Sequence, residues 1–444
     1  MRARERDRYA PQSGDLTYDV ESYDLDLRYR VRTNRLEGTA VINAVALVTL
    51  PSFALDLVGL RARSVRVDGD PGTRFTQGPR TLRVRPRVPI EPGERFSIEV
   101  AYAGTPRPRR SRWGSLGWEE LEDGVLVASQ PTGAPTWFPC NDRPDSRAAM
   151  RITVTADTPY VVAATGRPGP VRRGGATTTW TFETDAPVAT YLAAVQIGRY
   201  EQSDLACAPA GGTVGARLLH PVSLRAPARR AFADIPRMVE VFEDAFGPYP
   251  QDDLTIVVTP DDLEIPLEAQ GMAVFGANHL DADSHRLVAH ELAHQWFGNS
   301  VGIAHWHDIW LNEGFACYAE WVWAAASGGP SLAASADAHH ALLRALPQDI
   351  VLGDPGPVLM FDDRVYKRGA LTLEALRRTI GDDHFAHVMR QWCTAHRHGL
   401  VTTSDFIALA EEVSARDLGV LFRAWLDAEP LPELSAPPEA SPGA

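Results

Sequence analysis

From Tyr18 to about Arg199, apolar and polar residues alternate with a period of two. Tyr23, Leu25, Leu27, Tyr29 and Val31 stand at every second position, Leu82/Val84 and Phe96/Ile98/Val100 repeat the scheme, and Thr177 to Phe182 is rich in β-branched and aromatic residues. Glycine and proline turns separate these runs, so this half predicts an antiparallel β-sandwich whose strands bury alternate side chains. After Ser203 the period lengthens to about 3.6 residues. Leu224 to Phe246, Ser284 to Phe297, Leu311 to Ala326, Val365 to Thr379 and Thr403 to Val413 then read as helices, with Leu254 to Val258 as one buried strand. The expected fold class is multidomain, a β-sandwich followed by a mainly helical α+β domain. We place the domains at residues 1–202 and 203–430, with a loose proline-rich tail over 431–444.

Composition narrows what such a chain does. At 444 residues, 44% hydrophobic and 23% charged, it can bury a large core, which rules out disorder, collagen and coiled coil. Lys plus Arg number 44 against 57 for Asp plus Glu, and the net charge of -13 repels phosphate backbones, so no nucleic-acid partner is expected. Lys367 is the only lysine among those 44 basic residues, a bias that reads as that of a GC-rich genome rather than as a functional signal. The four cysteines, Cys140, Cys207, Cys317 and Cys393, lie far apart with no CxxC pair, which suits reduced thiols better than a disulfide framework. No apolar stretch approaches the roughly 20 residues of a membrane span, and the charged N-terminus lacks the apolar run of a signal peptide. The expectation is a soluble cytoplasmic protein without a membrane partner.

One helix carries chemistry. In His290-Glu291-Leu292-Ala293-His294 the histidines stand at i and i+4 on one helix face, close enough to share a metal, and Glu291 can act as base on a water beside it. Glu313, in Trp310-Leu311-Asn312-Glu313-Gly314-Phe315-Ala316, can supply a third ligand if the connection from Asn299 to Ile309 returns the next helix antiparallel. Two His and one Glu leave an open fourth position, the arrangement of a catalytic zinc, and one zinc per chain is expected. The bland alternative is a helix with solvated His and Glu side chains. His305/His307, His339/His340 and His384/His387 are better read as surface groups than as ligands.

Together, His290 to Asn299 and Trp310 to Ala316 resemble the gluzincin zinc aminopeptidases, the family of alanyl aminopeptidase and leukotriene hydrolase. The likeness extends to Val365-Tyr366-Lys367-Arg368-Gly369-Ala370, similar to the family's Y-x-K-G-A with Arg368 for Lys, and to Phe138-Pro139-Cys140-Asn141-Asp142-Arg143-Pro144, similar to F-P-C-x-D-E-P but departing at Arg143. It runs from the first β segment to about residue 425, and it implies that Tyr366 steadies the tetrahedral intermediate. The family's G-x-M-E-N loop is not present literally. Its best counterpart is Ile265-Pro266-Leu267-Glu268-Ala269-Gln270, similar to an L-E-T-Q form, which implies that Glu268 binds the substrate's free amine; Glu264 is a competitor, and an exposed strand-end carboxylate is the bland reading of Glu268. Gln130 matches a position that reaches the amine and the first side chain, or is simply a turn residue beside Pro131. Glu320, seven residues after Glu313 on the same helix face, is a candidate partner for a ligating His; Asp308 is either another or a cap for the helix starting near Trp310.

The implied activity is zinc-dependent removal of the N-terminal residue from peptides with a free amine. Because the chain stops after the catalytic domain, an open cleft is expected in place of the one that a C-terminal helical domain shields in larger relatives. The rival readings are a thermolysin-like endopeptidase, which would lack an amine-binding carboxylate, and a peptide-binding scaffold that does not cut. Epoxide hydrolysis, as in the leukotriene enzyme, rests on analogy alone.

Overall fold

The computed structural model describes residues 5–205 and 215–436. Two compact units divide the chain: residues up to 204 with 215–230 and 251–280, then 231–250 with the residues from 281 on. The β-rich first half and the helix-rich second half follow the two periodicities of the sequence.

In the first unit the largest sheet runs, in order, through Thr177–Glu183, Arg147–Asp157, Tyr18–Arg30, Arg35–Ala46, Arg95–Gly104 and Arg61–Val67. Leu25, Leu27 and Tyr29 are buried while Asp24, Asp26 and Arg28 face out, as a period of two requires. Asn34, at φ 44°, makes the tight return to Arg35–Ala46, a left-handed position that Asn tolerates. One central pair departs from antiparallel order, because Arg147–Asp157 re-enters beside Tyr18–Arg30 in parallel, with Leu25 opposite Ile152. Three further sheets complete the unit. One of them holds Asp253–Val258, buried throughout, with parallel neighbours Gly215–Pro221 and Met272–Phe275. A strand covered on both faces reads as a continuous apolar run rather than an alternation. Leu219, Val257, Met272 and Val274 from this sheet bury against Leu126, Ala163 and Ala194, so these strands belong with the first unit although they lie beyond the expected boundary at 202/203.

The second unit is helical. The expected helix Leu224–Phe246 is in fact two, Arg225–Ala231, which groups up to residue 230 with the first unit, and Ile235–Phe246 in the second, with Pro236 in the first turn of the latter, where its missing N–H costs nothing. The remaining expected helices are His285–Ala293, Trp310–Ala326, Asp363–Ile380 and Thr403–Ser414. Leu332–Arg344 and Asp382–Ala395, which the pattern did not single out, join them. Phe406 packs edge to face on Trp310, Phe315 and Trp392, Phe315 lies tilted against Trp310 and stacks on Trp392, all with ring centroids within 6.4 Å. The helices bearing Glu313 and Tyr366 approach closely because glycines meet at the crossing: a Cβ on Gly314 would fall 2.7 Å from the Cα of Gly369.

The loose tail needs correction over its described part. Pro432 O accepts from His340 Nε2 at 2.7 Å, Ser435 O accepts from Arg378 Nη1 at 2.5 Å, and Glu433 pairs with Arg344 at 3.1 Å, so this segment is tied down by the helices it follows. Residues 437–444 and Cys207 lie outside the described residues. Cys140, Cys317 and Cys393 are buried and free. Among the described residues no helix is long and apolar enough to cross a membrane.

Candidate metal centre

The helix His285–Ala293 ends at His294, and the chain then turns through Gln295–Phe297 to Gly298. Gly298 has φ 103°, a left-handed conformation that favours glycine. The turn is anchored from beneath: Trp296 packs on Phe242, Phe246 and Tyr249 and donates to Gly247 O at 2.9 Å, while Phe297 packs on Phe246 and Phe315.

This scaffold brings three of the expected side chains together. Glu313 Oε2 lies 3.5 Å from His290 Nε2 and 3.4 Å from His294 Nε2, and all three side chains are buried. Donors each about 2.1 Å from a tetrahedral ion stand about 3.4 Å apart, so these separations are the edges of a coordination tetrahedron, and an N2O donor set is one zinc prefers. The residues present therefore fit the metal. Each histidine turns its other nitrogen to a fixed acceptor: His290 Nδ1 to Glu320 Oε1 at 2.8 Å, and His294 Nδ1 to Phe297 O at 3.0 Å. Such partners fix the tautomer that presents Nε2.

The electrostatics agree with a site made for a cation. Burial opposes charge on His290, yet the carboxylates of Glu313 and Glu320 push its pKa up to about 9. Burial likewise opposes ionisation of Glu313, but His294 and His290 hold it low. Glu320, against the same burial, is held at about 2 by His290 together with Lys367 and Arg286.

The other expected residues stand as follows. Glu291 is buried, with a carboxylate oxygen within 4.8 Å of a His294 ring nitrogen. Tyr366, early in the helix Asp363–Ile380, stacks on His290 with ring centroids 5.8 Å apart and planes inclined by 20°. Arg368 points elsewhere, donating to the carbonyls of Trp425, Ile350 and Glu429 at 2.7–3.0 Å, so it fastens the C-terminal turn. Asp308 corrects both roles considered for it. Its Oδ1 accepts from the Thr403 N–H at 3.1 Å and from the Thr403 hydroxyl at 2.6 Å, and its other contact is His307, so it secures the start of helix Thr403–Ser414 and touches neither ligating histidine. No side-chain cap is present on the helix at Trp310.

In the first unit, Glu268 lies half-buried on the short edge strand Leu267–Ala269, opposite Ala273. Gln130 lies half-buried beside Pro131, its Nε2 buried without a hydrogen-bond partner among the described residues. Arg143, the departure from the N-terminal motif, is buried and pairs with Asp145 at 2.9 Å and Asp19 at 3.4 Å.

Sequence reasoning missed the Phe297 carbonyl, because backbone acceptors carry no sequence signal, although Gly298 marks the turn that aims it. Lys367 and Arg286 were also missed; they lie 3.9 and 3.4 Å from Glu320 Oε2. The isolation of Lys367 in the composition was the signal that could have found it.

Comparison with known proteins follows the same two halves. Residues 20–192 match the model of the peptidase M1 N-terminal domain, and residues 230–425 match that of the peptidase family M1 domain. Among curated proteins, the chain is 26% identical to aminopeptidase 2 of Candida albicans over 84% of this chain and 43% of the relative, and 28% identical to aminopeptidase N of Lactococcus lactis over 67% and 38%. The chain thus spans less than half the length of these curated relatives. Among solved structures, a mutant M1 zinc metallopeptidase from Deinococcus radiodurans bound to a Tyr-Ser-Ala substrate superposes with a TM-score of 0.89 at 31% identity, covering 96% of this chain and 98% of that one.

Proposed function

The chain belongs to the M1 family of zinc metallopeptidases, and on that premise we propose that it is an aminopeptidase, removing N-terminal residues from peptides with a free amine. The observation that carries the reading is the meeting of His290, His294 and Glu313 at tetrahedral-edge distances, with Glu291 on the same helix. Zinc held there by those three side chains would supply a Lewis acid that polarises the scissile carbonyl and acidifies the attacking water. Glu291 takes that water's proton and later returns it to the leaving amine. Tyr366 donates its hydroxyl to the developing oxyanion, and its stacking on His290 holds the ring beside the reaction. Glu320 keeps His290 in the tautomer that offers Nε2.

The family resemblance assigns Glu268 to the substrate ammonium, with Gln130 for the amine and first side chain. A carboxylate that captures the terminal ammonium selects the first peptide bond. Residues 203–430 are our reading of the module that carries the chemistry, and a reducing cytoplasmic location suits three unpaired described cysteines. The test is turnover of free-amine and N-acetylated versions of one peptide, with and without a chelator. Loss of one residue at a time from the free-amine form, abolished by the chelator, is expected. Internal cleavage of the acetylated peptide would replace the reading with an endopeptidase.

A further inference from the structure

The family's ligand set leaves one group near the centre unused. Lys367 is the only lysine among 44 basic residues, and it is not on the surface where such residues usually sit: its side chain is 13% exposed. A bias toward arginine accounts for the other 43 and leaves this position unexplained. The ammonium lies 3.9 Å from Glu320 Oε2 and 3.3 Å from Cys317 Sγ, and 4.0 Å from the mostly exposed Asp363. Burial pushes the Cys317 thiol up to about 12, with Glu320 adding to it, so the sulfur is a neutral acceptor. Glu320 is therefore the buried anion that the ammonium faces. Arg286 also reaches Glu320, at 3.4 Å, but its side chain is 59% exposed and water screens its charge.

We propose that Lys367 is a positioning residue for the metal centre. Its charge, 3.9 Å from the outer oxygen of Glu320 beside the hydrogen bond from Arg286, holds that carboxylate so that the inner oxygen receives the Nδ1–H of His290 and turns Nε2 toward the metal. Charge points the same way. Glu320 is a buried carboxylate that faces His290 on one oxygen and the Lys367 ammonium, itself mostly buried, on the other. The helix crossing at Gly314 and Gly369 makes the contact possible, since it brings Lys367 to the helix that carries Cys317, Glu320 and Glu313.

This inference rests on the zinc reading, and the measurement separates the two. Zinc dissociation constants are obtained by competition with a chelating dye for wild type, K367M, K367Q, K367R, E320Q and the K367M/E320Q double variant, alongside the melting temperature of each metal-free protein. E320Q, which alters the direct partner of His290, should bind zinc about 10- to 100-fold more weakly, and K367M, one contact further out, should weaken it by up to about 10-fold. K367R, which keeps the charge, should fall between it and wild type. If Lys367 acts through Glu320, K367M should cost little more once Glu320 is Gln. Wild-type zinc affinity in K367M, equal weakening by K367M in both backgrounds, or K367R as weak as K367M would each overturn the proposal. So would a K367M protein that fails to fold with zinc present while K367Q binds zinc like wild type, or failure of both to fold, which would assign Lys367 to the fold. A wild-type protein that binds no zinc would instead sink the zinc reading.

Discussion

Two buried clusters of acids, one in each unit, behave in opposite ways. In the β-rich unit, Asp142 and Asp56 are covered by Tyr18, Tyr23 and Cys140; burial pushes Asp142 up to about 7, helped by the charge of Asp56, and Asp56 itself up to about 6. Backbone N–H groups and the Thr190 hydroxyl are their close partners, at 2.7 Å for both Gly14 N to Asp56 and Thr190 Oγ1 to Asp142. In the helical unit, Glu313 and Glu320 are buried as deeply, yet are held low by imidazoles and an ammonium. Burial alone drives a carboxyl toward its neutral form; hydrogen bonds from Gly14, Asp142 and Thr190 only partly offset it in the first cluster, whereas cationic partners at contact distance reverse it in the second. A site meant to hold a dication needs carboxylates already ionised, whereas in the first cluster Asp56 accepts from backbone N–H groups and Asp142 from one hydroxyl, the Oδ2 of Asp142 being buried without a hydrogen-bond partner among the described residues. The same residue type thus separates chemistry from architecture by what it faces.

The comparison is tested hardest where the chemistry is concentrated. Glu291→Gln keeps the shape of the site and removes the base, so kcat should fall by a factor of about 100 to 10,000 while elemental analysis still finds about one zinc per chain. His294→Ala should lose most of the zinc, and dialysis against a chelator should abolish turnover of the parent. A Glu291→Gln enzyme with unimpaired kcat would end the assignment. Tyr366→Phe tests the proposed oxyanion donor: a loss of roughly 100- to 1000-fold in kcat is expected with zinc content unchanged. Glu268→Ala should raise KM and lower kcat/KM for free-amine peptides by roughly 2 to 4 kcal/mol if the ion pair is desolvated. Unchanged kinetics there, with the loss appearing instead in Glu264→Ala, would move the amine role to the other carboxylate.

What the sequence made legible divides along physical lines. The two periodicities gave the β-rich and helical halves, because alternation and 3.6-residue spacing are local. The three residues that meet at the candidate centre were legible for the same reason: His290 and His294 are one helical turn apart, and Glu313 lies in a second motif with its own signature. Glu320 followed from sharing a helix face with Glu313. Asp308 was misread because its partner, Thr403, lies 95 residues away, and no local spacing encodes that contact. The helix break before Ile235 was written in Pro236 but hidden by continuous apolar spacing. Segments 215–230 and 251–280 group with the first unit because their strands share its core, and core membership is a property of packing rather than of order along the chain.

The smallest expected effect tests the architectural half of the comparison. A carboxyl whose folded pKa lies above its unfolded value binds more protons in the folded state across the interval between the two. Stability from such a group is therefore greatest below the unfolded pKa of about 4 and is lost as pH rises toward the folded value. For Asp142 that interval ends near 7, and for Asp56 near 6. Asn in place of Asp142 cannot ionise, and its side-chain oxygen can still accept from Thr190, so Asp142→Asn should flatten this part of the profile. Unfolding by urea at several pH values between 4.5 and 7.5 reads it as the difference between variant and parent, which cancels the opposite trend from carboxylates held low elsewhere. The variant should gain on the parent steadily as pH rises. A constant difference would mean that Asp142 titrates alike in the folded and unfolded chain, and a variant that loses ground with rising pH would mean that the charges of Arg109 and Arg80 outweigh burial at Asp142, making it an ionised acid of the same kind as Glu320.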